Sequence, residues 1–209
     1  FWNNQTLWNS IMATYASIAY DQVLSNANSL VLLSEQSASD GDANLTFTNI
    51  FDSTYKEYIC KIIDAHPETD LAEFGFQVDV SGGSSYAQTI TSTYLAAYID
   101  EDDHSSAATT YGTANDQAQG TALQYICDQV GNGADESTSG YLHISNPSST
   151  TFTKLFYSRM QTYNGDGVGY STDVVASGYV NTATAITNIQ FKFSSGDFDE
   201  GTIKIYGVK

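Results

Sequence analysis

Basic residues are scarce in this chain of 209 residues. Seven Lys and Arg stand against 24 Asp and Glu, which gives a formal net charge of −17. Between Ile62 and Thr153 the sequence holds thirteen acidic residues and neither Lys nor Arg. A surface of this charge repels the phosphate backbone, because nucleic-acid affinity depends on contacts from Lys and Arg. The composition argues against nucleic acid as a partner and favours solubility in salt-containing water.

Proline, cysteine and long apolar runs are scarce too. Two prolines argue against a collagen-like or linker-rich chain, and no run approaches the roughly 18 apolar residues of a membrane-spanning helix. Cys60 and Cys127 lack the spacing of a metal site. We expect two buried free thiols in a reducing compartment, with a single disulfide as the alternative. The chain begins with Phe and shows no signal-peptide pattern, so we expect a processed or truncated product.

Motifs for catalysis are absent. The sequence contains no GxSxG nucleophile turn, no HExxH zinc motif and no phosphate-binding loop. None of the three histidines, His66, His104 and His143, lies in a catalytic sequence motif. Glycoside hydrolysis uses a pair of carboxylates, but with 24 Asp and Glu such pairs arise by chance and do not indicate this activity. We therefore predict that the protein is not an enzyme, and we assign no catalytic, cofactor-binding or metal-binding residues.

One segment has part of a calcium-loop pattern. Asp40, Asp42 and Asn44 have the 1, 3, 5 spacing of calcium ligands. Leu45 occupies the sixth position, where the loop needs Gly, and Phe51 occupies the twelfth, where it needs Glu. A solvated turn is the favoured interpretation, and weak Ca²⁺ binding is the alternative.

Aromatic residues are abundant, with 15 Tyr and 10 Phe, and apolar side chains alternate with polar ones along much of the chain. Near its C-terminal end, Ile189, Phe191 and Phe193 alternate with polar residues, as do Ile203 and Ile205. The glycine-containing segment between these runs predicts a hairpin of neighbouring antiparallel strands. Such a hairpin has one apolar face, so a second sheet must cover it.

Similar strand patterns begin at Leu30. About ten short strands are predicted, separated by turn signals such as the glycine-rich Ser81–Ser84, which predicts a hairpin. No helical pattern separates the strands, so we predict a mainly β domain over residues 29–209: an antiparallel two-sheet sandwich, jelly-roll-like. The stretch from Asp100 to Gly120 has few aliphatic side chains, which predicts an exposed loop.

Residues 1–28 follow a different period. Apolar side chains recur there at helical spacing, and Asp21 is the only charged residue. We predict a short N-terminal helical segment, residues 1–28, that docks the sandwich to a partner, since large aromatic side chains often anchor interfaces. A helix packed on its own sandwich is the alternative. The predicted assembly interface consists of Trp2, Leu7, Trp8, Ile11, Tyr15 and Ile18.

Several segments resemble a known family. They are, in order, LTFTNIFDSTYKEY, HPETDLAEFGFQV, VSGGSSYAQTITSTY, GYLHISNPSSTTFTKLFYSR and AITNIQFKFSSGDFDEGTIKIYGVK. They are similar to β-sandwich virion structural proteins of tailed phages of marine bacteria and cyanobacteria. The resemblance extends from Leu30 to Lys209 and is most specific in the final segment. It implies a particle component of tail, fibre or capsid-surface type, and it transfers no catalytic or binding residues.

The functional prediction is a phage virion structural protein, a fibre, tail or capsid-surface (decoration) subunit that acts by binding and assembly. The expected partners are other virion proteins, further copies of the chain in a homo-oligomer, with a trimer as one arrangement, and a host-surface glycan. The expected location is the virion, assembled in the host cytoplasm. The alternative is a secreted carbohydrate-binding β-sandwich module. That function would favour a disulfide between Cys60 and Cys127 and an aromatic platform on one face.

Overall fold

β-Strands make up the described part of the fold. A computed structural model describes residues 29–102 and 106–209, and every regular element in these ranges is a strand. The predicted helix over residues 1–28, and with it the predicted assembly interface, lies outside the described residues. The described ranges contain no helix long and apolar enough to cross a membrane. The twelve strands are β1 (Leu30–Ala38), β2 (Leu45–Phe47), β3 (Glu57–Pro67), β4 (Phe74–Val80), β5 (Ile90–Asp100), β6 (Ala107–Tyr111), β7 (Gln124–Tyr125), β8 (Thr138–Ser145), β9 (Lys154–Asn164), β10 (Tyr170–Val180), β11 (Ile186–Phe193) and β12 (Phe198–Val208).

The strands form two sheets of unequal size. The larger sheet has eight strands in the order β1-β12-β3-β8-β9-β10-β5-β6, and the smaller has four in the order β2-β11-β4-β7. Every neighbouring pair is antiparallel. The mainly β architecture with two antiparallel sheets, predicted from the strand patterns, is therefore confirmed.

The core lies between the two sheets. Along β9 buried and exposed side chains alternate, and the buried set includes Phe156 and Met160. Phe76 of the smaller sheet makes an edge-to-face contact with Phe156 of the larger sheet, with 5.1 Å between ring centroids. Phe191 in β11 and Ile205 in β12 are both fully buried, as their alternation predicts. The inner faces of both sheets thus form one continuous core.

The predicted hairpin near the C-terminal end is wrong. β11 pairs with β2 and β4 in the smaller sheet, whereas β12 lies between β1 and β3 in the larger one. Phe193 and Phe198 remain in contact, with ring centroids 4.9 Å apart. Two strands with apolar faces can lie side by side in one sheet and pack together on a second layer. They can also lie in opposite sheets and pack on each other. The alternation of apolar and polar residues is the same in both arrangements. The turn at Ser81–Ser84 likewise joins β4 and β5 of different sheets, not the two strands of a hairpin.

The predicted loop from Asp100 to Gly120 is only partly a loop. It includes β6, which pairs with β5 along its whole length. Beyond β6, the backbone N–H of Gln117 donates to Ser92 Oγ over 3.0 Å, and Gly120 exchanges two backbone hydrogen bonds with Ile90. All five β6 side chains are exposed. Backbone hydrogen bonds hold an edge strand in place without many aliphatic side chains, so low hydrophobicity did not reveal it.

The segment between β6 and β8 packs against the inner face of the larger sheet. It contributes the buried side chains of Ile126, Cys127 and Val130. The Cys127 thiol lies against Thr138 of β8 and Thr162 of β9. Only β7 is a strand among the described elements of this segment, although the apolar pattern from Leu123 to Val130 predicts a longer one. This mostly irregular segment is therefore part of the core.

Asp79 on β4 organises the connection from β4 to β5. Its carboxylate accepts hydrogen bonds from the backbone N–H groups of Val80 (2.8 Å), Ser85 (2.8 Å) and Tyr86 (3.1 Å), and from the Gln88 side chain (3.0 Å). The side chain is nearly fully buried. Burial raises the pKa of Asp79, but the hydrogen bonds from Tyr86, Val80 and Ser85 outweigh it and bring that pKa below its ordinary value.

Replacing Phe191 with Ala should lower the free energy of unfolding by about 3–5 kcal/mol, because loss of a buried ring leaves a cavity. The matched control is Phe152→Ala, since Phe152 is 68% exposed. That change should cost no more than about 0.5 kcal/mol. Denaturant unfolding followed by circular dichroism measures both values. Equal effects of the two substitutions would show that Phe191 is not a core residue.

Replacing Asp79 with Asn should destabilise the protein near neutral pH, and the loss should shrink in acid. The pKa of Asp79 in the folded protein is below the ordinary value of 3.8. The stabilisation from the ionised carboxylate is therefore fully present above that value and disappears as pH falls through the folded-state pKa. The measurement is the difference in unfolding free energy between wild type and Asp79→Asn from about pH 7 down to about pH 2.5. A difference that does not change with pH would contradict the role of the ionised carboxylate.

Candidate binding surface

One row of paired residues crosses the face of the larger sheet that points away from the smaller sheet. We call this face the outer face. The row runs from the β1 edge to the β6 edge through Glu35, Lys204, Lys61, Tyr141, Arg159, Val175, Leu95 and Tyr111. Side chains paired across strands in this way contact one another, so the row is a continuous strip of surface. It is charged on β1, β12 and β3 and uncharged on β10, β5 and β6.

The uncharged end of the row is apolar and exposed. Val175, Leu95 and Tyr111 are 41%, 46% and 47% exposed. Their chain neighbours Val174 and Ala96 are buried in the core, so β10 and β5 carry apolar side chains on both faces. A strand of an antiparallel sheet with one face in water usually has polar side chains on that face. Exposed apolar patches on such a sheet are typical of a binding surface.

A cluster of rings lies beside the row on β8 and β9. His143 stacks on Tyr157, with ring centroids 4.4 Å apart, and its edge contacts Tyr141 at 5.2 Å. Glu57 Oε1 lies 2.6 Å from His143 Nδ1, and the Tyr157 hydroxyl lies 2.9 Å from the same nitrogen. Nδ1 carries either one hydrogen or one lone pair, so it forms a hydrogen bond with one of these two groups. The carboxylate is the stronger partner and accepts the N–H, while stacking holds Tyr157.

Basic residues are concentrated in the row. Arg159 donates two hydrogen bonds to Asp173, from Nε over 2.9 Å and from Nη2 over 2.8 Å, and these bonds raise the pKa of Arg159. Lys204 Nζ lies 3.2 Å from Glu35 Oε2. Exposed pairs of this kind add little to stability. Together with Lys61, they place three of the seven basic residues in one row, which carries no net negative charge on a protein of net charge −17.

The residues of the calcium-loop pattern take part in a turn between β1 and β2. Asp42 Oδ2 accepts hydrogen bonds from the Ser39 backbone N–H (2.9 Å) and hydroxyl (3.2 Å), and Asn44 Oδ1 accepts one from the Thr46 hydroxyl (2.8 Å). Asp40 lines an open cleft of ≈ 450 Å³. In the described part of the chain, no three His, Cys, Asp or Glu side chains lie close enough together to hold a metal ion.

The two cysteines are buried and unpaired. Burial raises the pKa of both the Cys60 and the Cys127 thiol. They therefore stay protonated and poorly reactive in the folded protein. His143 lies on the outer face, and His66 lies 3.7 Å from Asp199; His104 lies outside the described residues.

The outer face was not among the predicted features, although the sequence contains a signal for it. The segments TYLAAYI in β5 and DVVAS in β10 have apolar residues in both positions of the strand alternation. In an antiparallel sheet this pattern indicates that something covers both faces. The predicted interface from Trp2 to Ile18 belongs to a different part of the chain, outside the described residues.

Comparison with known proteins assigns the chain to no family. No family model matches it, and no curated protein matches it either. Its function must therefore be inferred from the fold and from the chemistry of the outer face.

Exchanging Val175 for Thr should leave the free energy of unfolding within about 0.5 kcal/mol of wild type, because this side chain is exposed. The matched control is Val174→Thr, one residue away on the opposite face of β10. Thr has the shape of Val, but at position 174 its hydroxyl would be buried in the core, at a cost of about 1–3 kcal/mol. Thermal and denaturant unfolding measure both. A larger loss from Val175→Thr than from Val174→Thr would mean that the faces of β10 are assigned the wrong way round.

Proposed function

We propose that this protein is a phage virion structural protein that acts by binding and assembly, with a jelly-roll fold. Eight strands support the fold: β1, β2, β3, β4, β7, β8, β11 and β12. Numbered consecutively, they form sheets in the orders 1-8-3-6 and 2-7-4-5, which is jelly-roll connectivity. Jelly rolls are frequent in viral capsid and lectin domains.

The observation that carries the proposal is the widened outer face. β5, β6, β9 and β10 are additional to the eight jelly-roll strands and extend the larger sheet beyond β8. Leu95, Leu155 and Val175 on three of these strands are exposed. A surface that combines exposed aliphatic side chains with aromatic rings and paired charges has the composition of a protein interface. Such a surface suits a subunit that works by contact, and we assign it no catalytic step.

We propose the virion as the location, with assembly in the host cytoplasm. The protein would be a fibre, tail or capsid-surface subunit, and its partners would be other virion proteins and further copies of itself, with a trimer as one arrangement. Residues 1–28 are the proposed docking segment. The location follows from the resemblance inferred from the sequence of residues 30–209, and the buried free thiols of Cys60 and Cys127 fit a reducing cytoplasm.

Antibodies against the protein should label purified particles of the phage that encodes it. Mass spectrometry of gradient-purified particles should detect its peptides in the same fractions. A Leu7→Ser, Ile11→Ser double variant should be incorporated less, because it removes apolar surface from the proposed docking segment. A matched Ser10→Ala, Ser17→Ala variant should be incorporated like wild type. Recovery of the wild-type protein only among soluble, particle-free material would contradict the virion function.

A secreted carbohydrate-binding module is the second candidate, and the rings of Tyr141, His143 and Tyr157 favour it. Aromatic faces with nearby polar groups are suitable surfaces for sugars. If this function holds, Tyr157→Ala should abolish retardation by polysaccharides in affinity electrophoresis, whereas Tyr55→Ala should not. Thiol titration under denaturing conditions separates the candidates further. Two reactive thiols would fit cytoplasmic assembly, and none would indicate a disulfide and secretion.

A further inference from the structure

We propose that a second copy of this chain binds at β6 and joins the two larger sheets edge to edge. The inference rests on the assembly function proposed above and names one partner and one surface for it. β6 is the edge strand of the larger sheet, at the apolar end of the row that crosses the outer face.

The backbone of β6 has hydrogen-bonding groups that point away from the sheet. At the end of the ladder with β5, the Gly112 N–H donates to the Tyr94 carbonyl over 3.0 Å. Hydrogen-bonded and non-hydrogen-bonded pairs alternate along an antiparallel ladder, so the even-numbered residues of β6 bond to β5. The N–H and C=O groups of Ala107, Thr109 and Tyr111 therefore point to the free edge. No described strand pairs with that edge.

β6 lacks the features that protect most edge strands from pairing. Its sequence, AATTY, has neither charge nor proline, and its register with β5 is continuous, without a bulge. All five side chains are exposed. Natural sheet edges usually carry Lys, proline or a bulge, or are covered, because an open edge accepts another strand. β6 is open to strand addition.

Two copies of β6 are complementary to each other. A two-fold axis at Thr109 would pair this residue with Thr109 of the partner subunit, and threonine pairs are favourable across antiparallel strands. It would also pair Tyr111 with Ala107 of the partner subunit, so that a bulky ring lies opposite a methyl group. The same axis places the outer faces of both copies on the same side of the joined sheet. Each copy contributes eight strands, so the pair would form one sheet of sixteen.

The charge distribution favours this edge for contact between copies. Two chains of net charge −17 repel each other, so they associate most easily where neither carries charge. β6 has no charged side chain, and the outer-facing residues of β5 have none either: Thr91, Thr93, Leu95, Ala97 and Ile99. Acidic side chains lie at the margin of the contact: Asp116, which accepts a hydrogen bond from the Tyr111 hydroxyl over 2.7 Å, and the exposed Glu101 and Asp102 in the connection from β5 to β6. Salt should screen the residual repulsion, so association should strengthen as ionic strength rises.

Sedimentation of the full chain over a concentration series tests the proposal. Wild type should associate reversibly. Thr109→Pro should raise the dissociation constant roughly ten- to hundredfold, because it removes an outward N–H that the partner would use and no bond to β5. Thr109→Lys keeps that N–H but places like charges opposite each other, so it should also weaken association. Thr109→Val keeps the backbone and shape of the edge and should associate like wild type. Circular dichroism and melting temperatures establish that each variant is folded.

Amide hydrogen exchange shows whether β6 pairs with a second copy of the chain or is covered by another segment of its own chain. Peptides over residues 107–111 should be protected in concentrated wild-type protein and exposed on dilution. Protection that is independent of concentration would overturn the proposal, because another part of the same chain would then cover β6. A wild type that stays monomeric, or folded Thr109→Pro and Thr109→Lys variants that associate like wild type, would overturn it too. None of these results affects the particle-labelling experiment, so this interface and the virion function can fail separately.

Discussion

Phe76 and Phe156 meet edge to face in the core, with 5.1 Å between ring centroids, and they belong to different sheets. The fold depends on this mutual burial of the two inner faces, because each sheet covers the apolar inner face of the other. The sheets are unequal, with eight strands facing four. The segment with Ile126, Cys127 and Val130 covers inner surface of the larger sheet that the smaller one leaves open. A segment with little regular structure is therefore as much part of the core as the strands.

Local alternation was enough to predict the buried faces of individual strands. Phe191 and Ile205 follow from it because side-chain parity is a property of the strand itself. Which strands pair is set by contacts distant in sequence, so the strands of those two residues were wrongly predicted to be neighbours. β6 was missed because an edge strand needs backbone hydrogen bonds and few aliphatic side chains. The outer face was missed for a related reason: residues such as Val175 and Leu95 become a surface only when strands distant in sequence lie side by side.

The strong negative charge of the chain is unevenly distributed, and this distribution determines where contacts can form. Arg159 pairs with Asp173 and Lys204 with Glu35, so the row across the outer face offers a partner little repulsion. Acidic side chains such as Asp64 and Glu200 line an open cleft beside one end of the row, together with Ser37, Ile63 and Thr202. A protein arranged in this way stays soluble through its acidic clefts and loops while it keeps one broad face suitable for binding. Binding through that face is the common element of both candidate functions.

The position of β12 between β1 and β3 has a consequence for synthesis of the chain. Both early strands hydrogen-bond to the twelfth, so Leu30 pairs with Val208 and Glu57 with the same residue. A ribosome adds roughly 5–20 residues per second, so β1 is synthesised on the order of ten seconds before β12, the strand with which it pairs. Contacts this distant in sequence also slow folding, because a long loop must close before they form. During that interval the exposed edges of the nascent strands can pair wrongly, which makes the protein a candidate client for chaperones that hold chains until translation is complete.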